Sequence, residues 1–243
     1  MKKLIGFWGY PKPELIRQTK LEYPDCEFID LDINFGYPDL KIAPDNYCII
    51  IKNIINNAFF LKNKLVKILA PIGKDKCDSG YFVSEILKEK GFKVVQSIFE
   101  EKCSDITQLK LPICKSNLPL KKKIELITKN ITEEKDYSYL KSTKPKFGFW
   151  GVPPNDLSIL ELFPNETHVF GWTRCVEAGT PADVDLEMYV RKGLPTVFYS
   201  QAFCAKSQLA KYLANKYNGL YIDVDDIASN SVFAKVEAFL RLR

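Results

Sequence analysis

Three cysteines stand where predicted strands give way to loops, in settings that suit thiol chemistry. Cys204 lies two residues before Lys206, and Cys175 directly follows Arg174. Cys77 comes just before a predicted helix. A nearby cation or helix N-terminus favours the thiolate, the form that attacks carbonyl carbons and binds soft metals. The predicted catalytic residues are therefore Arg174, Cys175, Cys204 and Lys206.

Several familiar catalytic and binding systems are excluded by the residues present. The one histidine, His168, lies in a predicted strand, so Ser-His-Asp and Cys-His mechanisms have little support. The first predicted strand and the loop after it hold Gly6 and Gly9 but lack the G-x-G-x-x-G pattern, and no Walker A sequence occurs. Seven cysteines without a C-x-x-C pair or a signal sequence predict neither a zinc ribbon nor a disulfide framework.

The elements that must position these residues occur twice. The tetrapeptide Gly-Phe-Trp-Gly at residues 6–9 returns at residues 148–151. Each copy leads through prolines into a helix-like stretch, an apolar strand and a Gly-x-Pro turn. A strand, a cysteine and an amphipathic helix then follow in both halves. Since tryptophan is rare, this order predicts a diverged tandem repeat, with Cys77 and Cys204 at related positions.

The repeat and the alternation of strands with helices predict an α/β fold. Two similar lobes are expected, each a mostly parallel sheet flanked by helices, joined by a helical connector. We assign residues 1–100 to the first lobe, 101–145 to the connector and 146–243 to the second lobe. Residues 47–51 are predicted as a buried strand, residues 167–173 as a strand and residues 183–192 as a helix.

The charge pattern argues against nucleic acid and membrane partners. The net charge of +5 is concentrated in residues 115–146, where a basic helix over residues 118–130 is expected to face solvent. No lobe carries the interleaved basic and aromatic residues of a nucleic-acid surface. The longest apolar runs are far shorter than the roughly 20 residues that span a bilayer. A cytoplasmic location is the expectation.

Ligands of open parallel α/β sheets bind outside the carboxyl ends of the strands, often at helix N-termini. The two tryptophans of the repeat are predicted to lie at that edge. So are the two serines at the starts of the helices that follow Cys77 and Cys204. The predicted ligand-binding or cofactor-binding residues are Trp8, Ser79, Trp150 and Ser207.

Residues 6–16, with the sequence GFWGYPKPELI, resemble the opening of 2-hydroxyacyl-CoA dehydratase and benzoyl-CoA reductase subunits. The Cys77-Asp78 and Phe203-Cys204 pairs resemble the cysteine segments of that family. The resemblance implies an iron–sulfur cluster between paired lobes, used in lyase or reductase chemistry. It implies Cys77, Cys204 and Cys114 as the metal ligands, with Cys103 as the alternative to Cys114.

Three interpretations stay open at the level of the sequence. The first is an iron–sulfur or metal protein with thiolates at an inter-lobe site, acting in reductive or dehydratase-type chemistry or in metallocofactor maturation. The second is a metal-free enzyme or binding protein for small molecules, with Trp8 and Trp150 as the walls of a cleft. The third is a non-catalytic subunit of a homo- or hetero-oligomer. The predicted partners are accordingly a small-molecule substrate or a metallocofactor.

Overall fold

The computed structural model describes residues 2–74, 76–103 and 105–243. Contacts between residues divide the chain into two compact units, Met1–Glu100 and Glu101–Arg243. Each unit is built around its own four-stranded sheet. None of the helices in the described ranges is both long enough and apolar enough to cross a membrane.

In the first unit, strands and helices alternate along the chain. The elements are β1 (Leu4–Phe7), α1 (Pro13–Glu22), β2 (Glu27–Asp30), α2 (Ile49–Phe60), β3 (Leu65–Ile72), α3 (Asp78–Glu89) and β4 (Val94–Ile98). The strands pair in the order β2-β1-β3-β4, and all pairs are parallel. The apolar faces of α2 and α3 share one core with Trp8 and residues of β3, which fixes these two helices against the sheet.

The prediction of a strand over residues 47–51 is wrong. Cys48 is the N-cap of α2, and Ile49 to Ile51 form the first turn of that helix. A short apolar run occurs in buried strands and in buried helices, so its pattern does not distinguish the two. Ile51 is 1% exposed and packs in the core of the first unit, which accounts for the apolar run.

The second unit repeats this sheet. Its elements are α4 (Leu120–Glu133), β5 (Phe147–Trp150), β6 (Thr167–Phe170), α5 (Trp172–Glu177), α6 (Val184–Met188), β7 (Thr196–Gln201), α7 (Ser207–Tyr217), β8 (Leu220–Val224) and α8 (Asn230–Leu242), with 3₁₀ turns at Ile106–Gln108 and Leu157–Leu162. The order β6-β5-β7-β8 is again all parallel. Since both sheets place their first strand beside their second and third, the prediction of two similar α/β lobes is confirmed.

Two predicted elements of the second unit differ from the structure. The strand over residues 167–173 ends at Phe170, and Gly171, with φ of 75°, turns the chain directly into α5. Instead of a helix over residues 183–192, α6 spans five residues, Val184–Met188. The Asp183 side chain caps it by accepting the N–H of Leu186, as an N-cap aspartate does.

Helix α4, within the predicted connector, packs as part of the second unit. The expectation that its basic face lies in solvent is wrong for Lys123, which is 0% exposed. Its Nζ donates to the carbonyl oxygens of Asn165, at 2.8 Å, and Thr167, at 2.6 Å. Burial lowers the pKa of Lys123 to about 8. This lysine therefore joins α4 to the start of β6 instead of facing water.

Candidate functional site

The order of the first sheet creates a crevice at one edge. After β1 the chain crosses to β2 on one side, and after α2 it crosses to β3 on the other. The loops that leave β1 and β3 therefore diverge, and open α/β sheets bind ligands at such a switch point. Trp8 and Gly9 follow β1, and Lys76 and Cys77 follow β3.

A lysine–carboxylate pair occupies this edge. Lys76 Nζ lies 3.1 Å from Asp32 Oδ1 and 3.4 Å from Asp32 Oδ2. Asp32 Oδ2 also accepts the backbone N–H of Gly9 at 2.6 Å. Gly9 has φ of +56°, and a Cβ there would lie 3.6 Å from Lys76 Cδ. One carboxylate thus connects the loop after β1 with the loop after β3.

A second carboxyl group lies two residues before Asp32. Asp30 Oδ1 accepts the backbone N–H of Asp32 at 2.9 Å. Burial raises the pKa of Asp30 to about 8, and the charge of Asp32 adds to the rise. Asp30 is therefore mostly protonated at neutral pH, beside a carboxylate that is paired with a lysine. Two neighbouring carboxyl groups in different protonation states are a frequent arrangement for acid–base chemistry.

Helix α2 fixes the exit from β2 through buried amide side chains. Asn57 Nδ2 donates to the carbonyl oxygens of Leu31, at 3.0 Å, and Ile33, at 2.7 Å. Asn53 Nδ2 donates to the carbonyl oxygen of Asp32 at 3.3 Å. Because both amides are buried in α2, they hold in place the backbone that carries Asp32.

Two cysteines contribute to the electrostatic environment of Lys76. Burial acts to lower the pKa of Lys76, but Asp32, Cys77 and Cys48 outweigh it and raise the pKa above its ordinary value. Cys77 is the N-cap of α3 and Cys48 the N-cap of α2. Ser79, predicted to bind a ligand, lies partly buried in the first turn of α3. The structure therefore brings Cys77 and Ser79 to the same edge.

The two tryptophans lie in the cores of their units. Trp8 is 0% exposed, and its Nε1 donates to the carbonyl oxygen of Pro71 at 3.1 Å. Trp150 is 1% exposed, and its Nε1 donates to the carbonyl oxygen of Glu187 at 2.8 Å. A role as ligand-contacting walls stays a prediction, and it requires both indole rings to leave these cores.

Cys175 lies in a setting that disfavours its thiolate. It is 0% exposed inside α5, and its Sγ donates to the carbonyl oxygen of Asp183 at 3.8 Å. Burial and the charge of Glu187 raise the pKa of Cys175 to about 12. Arg174 is also buried and donates to the carbonyl oxygens of Leu186 and Tyr189. Arg174 acts to lower the pKa of Cys175, as expected from the sequence, but burial and Glu187 outweigh it.

Lys206 and Cys204 belong to the loop before α7. Lys206 Nζ lies 2.5 Å and 2.7 Å from the two carboxylate oxygens of Glu187, so its charge is paired. Cys204 is half-buried, and its backbone N–H donates to the carbonyl oxygen of Gln201 at 3.0 Å. Its own carbonyl oxygen accepts the N–H of Ser207 at 3.0 Å. Cys204, Lys206 and Ser207 thus lie in one turn at the corresponding edge of the second sheet.

The metal ligands implied by the family resemblance do not share one site within a unit. Cys77 belongs to the first unit, whereas Cys114 and Cys204 belong to the second. Cys114 is 1% exposed, and burial together with Glu177 raises its pKa well above the ordinary value. Within residues 2–74, 76–103 and 105–243, no group of three or more His, Cys, Asp or Glu residues is arranged to hold a metal ion.

Sequence reasoning missed Asp30, Asp32 and Lys76 as site residues. The available signal was an Asp-x-Asp sequence at the end of the second strand, together with a lysine before the helix that follows the third strand. Both patterns are common in turns and helix caps, so neither predicts a site alone.

The sequence matches no protein-family model and no curated protein. Among solved structures, it is similar to the RedJ thioesterase from the prodiginine biosynthetic pathway in Streptomyces coelicolor, at 10% identity and a TM-score of 0.25, covering 98% of this chain and 90% of that one. It is also similar to the Vlm2 thioesterase domain, at 12% identity and a TM-score of 0.24, covering 100% and 93%. TM-scores this low carry no argument about fold or function.

Proposed function

We propose that this protein binds a small polar molecule, without a metal ion, at the edge of the first sheet between the loops after β1 and β3. Asp32 and Lys76 contact the ligand, and Asp30 exchanges a proton with it. The observation that carries the proposal is the Asp32–Lys76 pair, whose carboxylate also accepts the N–H of Gly9 at the switch point of the sheet.

The protonation states support an enzymatic role. A general acid or base works best when its pKa lies near the working pH, and Asp30, with a pKa of about 8, meets that condition. Asp32 and Lys76 form an ion pair beside Asp30. Their side chains are only 20% and 14% exposed, so the pair presents a dipole that is held in place. Titratable groups perturbed by burial and by a specific charged partner are typical of functional sites.

The alternative interpretations receive less support from the described residues. An iron–sulfur cluster bound by Cys77, Cys114 and Cys204 stays a prediction, and the described residues form no group of three or more His, Cys, Asp or Glu side chains arranged to hold a metal ion. A non-catalytic subunit needs no charged pair at the switch point, so that interpretation leaves the Asp32–Lys76 geometry without a function.

Thermal unfolding with defined probes tests the proposal. The probes are four classes of small polar molecule: L-amino acids, dicarboxylates, sugar phosphates and nucleoside monophosphates. A ligand at 100 times its Kd stabilises a folded protein by about 2.7 kcal/mol, which is a readily measured rise in Tm. We expect one class to raise the Tm of the wild-type protein.

Two matched variants locate the binding. Asp32→Asn keeps an oxygen that can accept the Gly9 N–H but removes the charge that pairs with Lys76, so the ligand-induced rise should be lost. Glu187→Gln removes the carboxylate charge of the corresponding Lys206 pair in the second unit, so the rise should be retained. A rise that persists in Asp32→Asn, or no rise with any of the four classes, contradicts the proposal.

A further inference from the structure

The aliphatic stem of Lys76 lies against two glycines. A Cβ added to Gly80 would lie 2.6 Å from Lys76 Cγ and 3.6 Å from Lys76 Cβ. A Cβ added to Gly9 would lie 3.6 Å from Lys76 Cδ and 3.8 Å from its Nζ. The ammonium group at the end of this stem pairs with Asp32 at 3.1 Å. The lysine therefore reaches the carboxylate through space that a side chain at position 80 would occupy.

Gly80 lies at a helix position that ordinarily carries a larger side chain. The buried residues of α3 are Gly80, Val83, Ser84 and Leu87. This spacing is the stripe that a helix turns toward its core, and glycine inside a helix is less favourable than alanine. Burial and helix propensity thus both favour a larger residue at position 80. The stem of Lys76 gives a physical reason for the glycine.

The second unit carries an alanine at the corresponding helix position. In α7 the buried face begins with Ala210 and continues at the same spacing. Matching the two buried faces pairs Gly80 with Ala210 and, four residues earlier, Lys76 with Lys206. Lys206 pairs with Glu187, which belongs to α6. The lysine followed by the glycine thus contacts a carboxylate at the exit of a strand, whereas the lysine followed by the alanine contacts a carboxylate in a helix.

We propose that Gly80 is a positioning residue of the candidate site, because its missing side chain lets the stem of Lys76 pass and sets the ammonium group against Asp32. The Cγ atom leaves its place when the Lys76 side chain rotates about its Cα–Cβ bond, and this rotation redirects the rest of the stem. A Cβ at position 80 therefore moves Nζ away from Asp32. The placement of Lys76 needs no ligand, and its consequence for binding rests on the proposed function.

Acetylation of lysines measures the placement of Lys76. The folded full-length protein is treated briefly with acetic anhydride, and the extent of acetylation at each lysine is read by mass spectrometry. Lys76 of the wild-type protein should react slowly, because its side chain is 14% exposed and paired. In Gly80→Ala it should react about tenfold faster, which is the rise in free amine that a fall of one pKa unit produces. Gly91→Ala adds a Cβ at φ of +83° with nothing within 4 Å and should leave this rate unchanged.

A double-mutant cycle separates positioning from helix stability. Beyond the chain neighbours and the helix backbone, the three atoms nearest to a Cβ on Gly80 all belong to Lys76. In a Lys76→Ala background, Gly80→Ala should therefore raise the Tm through its better helix propensity. In the wild-type background the same change should raise the Tm less or lower it. If Gly80→Ala alone does not fold, the double variant should recover folded protein. Equal changes of Tm in both backgrounds, or an unchanged acetylation rate at Lys76, overturn the proposal.

The consequence for binding has its own measurement. With a ligand class that raises the Tm of the wild-type protein, Gly80→Ala should lose the rise, as Asp32→Asn does, and Gly91→Ala should retain it. A rise retained in Gly80→Ala, together with faster acetylation of Lys76, overturns the part of Gly80 in binding. If no class raises the Tm of the wild-type protein, the proposed function fails, and the acetylation rates and the cycle still decide the placement of Lys76.

Discussion

The two sheets share one strand order but differ at the edge where ligands bind. In the first sheet Phe7 pairs with Asp30, and in the second the corresponding Phe149 pairs with Val169. A carboxyl group with a raised pKa thus occupies a position that the other unit gives to a buried aliphatic side chain, since Val169 is 1% exposed.

The difference continues two residues further along. Asp32 in the first sheet corresponds by register to Gly171 in the second. The Asp32 carboxylate accepts the N–H of Gly9. At Gly171 the backbone itself comes so close that a Cβ would lie 2.8 Å from the N atom of Gly151. The space of a carboxylate in one unit is therefore filled by main chain in the other.

The third strands differ in the same sense. Leu69 of β3 corresponds to Val197 of β7, so Ala70 and Pro71 correspond to Phe198 and Tyr199. Both aromatic rings are 0% exposed in the second unit. A duplicated sheet thus keeps its strand order, while residues at the ends of the strands and just beyond them decide whether this part of the edge carries carboxyl groups or packed side chains and main chain.

The largest expected effect tests the packed edge. Gly171→Ala places a Cβ against the backbone of Gly151 at a position with φ of 75°. We expect a loss of about 3 kcal/mol or more in the free energy of unfolding, measured with urea. Gly193 has φ of +76°, and a Cβ added there would meet open space to a distance of 4 Å. Gly193→Ala should therefore cost only about 1 kcal/mol of backbone strain. Equal losses of stability in Gly171→Ala and Gly193→Ala would show that the close approach of Gly171 to Gly151 adds nothing to the cost of a Cβ.

A smaller effect tests the charged edge. Asp32→Ala removes the partner of both Lys76 Nζ and the Gly9 N–H, and it leaves a mostly buried ammonium group unpaired. We expect a loss of about 2 kcal/mol in urea unfolding. Asp39→Ala breaks an ion pair to the exposed Lys41 and should cost less than about 1 kcal/mol. If the two variants lose the same amount, the Asp32 pair is an ordinary surface contact.

The sequence predicted the fold better than it predicted the site. Alternating strands and helices and the recurring Gly-Phe-Trp-Gly tetrapeptide depend on neighbouring residues, so they are visible in a single chain. The same local signals predict helices over residues 79–90 and 207–217, within one residue of the helices Asp78–Glu89 and Ser207–Tyr217. The prediction of a strand over residues 47–51 is wrong because an apolar run indicates that a segment is buried but does not tell a strand from a helix.

The candidate site depends on long-range geometry that one sequence does not contain. Lys76 and Asp32 are 44 positions apart, and only the crossing from β2 to β3 brings them together. Cys175 failed for a related reason. Its sequence neighbours, Arg174 and a loop, indicate a reactive thiol, but α5 turns it into the core, and burial raises its pKa. Local charge predicts reactivity only where the side chain reaches solvent.

The effect expected for Asp30 is graded with pH and has a defined sign. Its pKa in the folded protein is about 8, whereas an aspartate in an unfolded chain titrates near pH 4. Between about pH 4 and pH 8 the folded protein therefore holds a proton that the unfolded chain has lost. The stability that this group contributes is fully present below pH 4 and is lost as the pH rises through 8.

Asp30→Asn removes this titration and keeps an oxygen that can accept the N–H of Asp32. Because one pH unit is worth about 1.4 kcal/mol inside this window, we expect the stability of the variant relative to the wild-type protein to rise by up to about 4 kcal/mol from pH 5 to pH 8 and then to stay level to pH 9, in urea unfolding at each pH. Asp136→Asn is the matched control, since Asp136 accepts the N–H of Ser138 in the same turn geometry but is exposed. That hydrogen bond lowers the pKa of Asp136, so its replacement should give no gain at pH 9. A constant difference between Asp30→Asn and the wild-type protein from pH 5 to pH 9 would show that Asp30 titrates as an exposed carboxyl, and the contrast with Val169 would then have no energetic consequence.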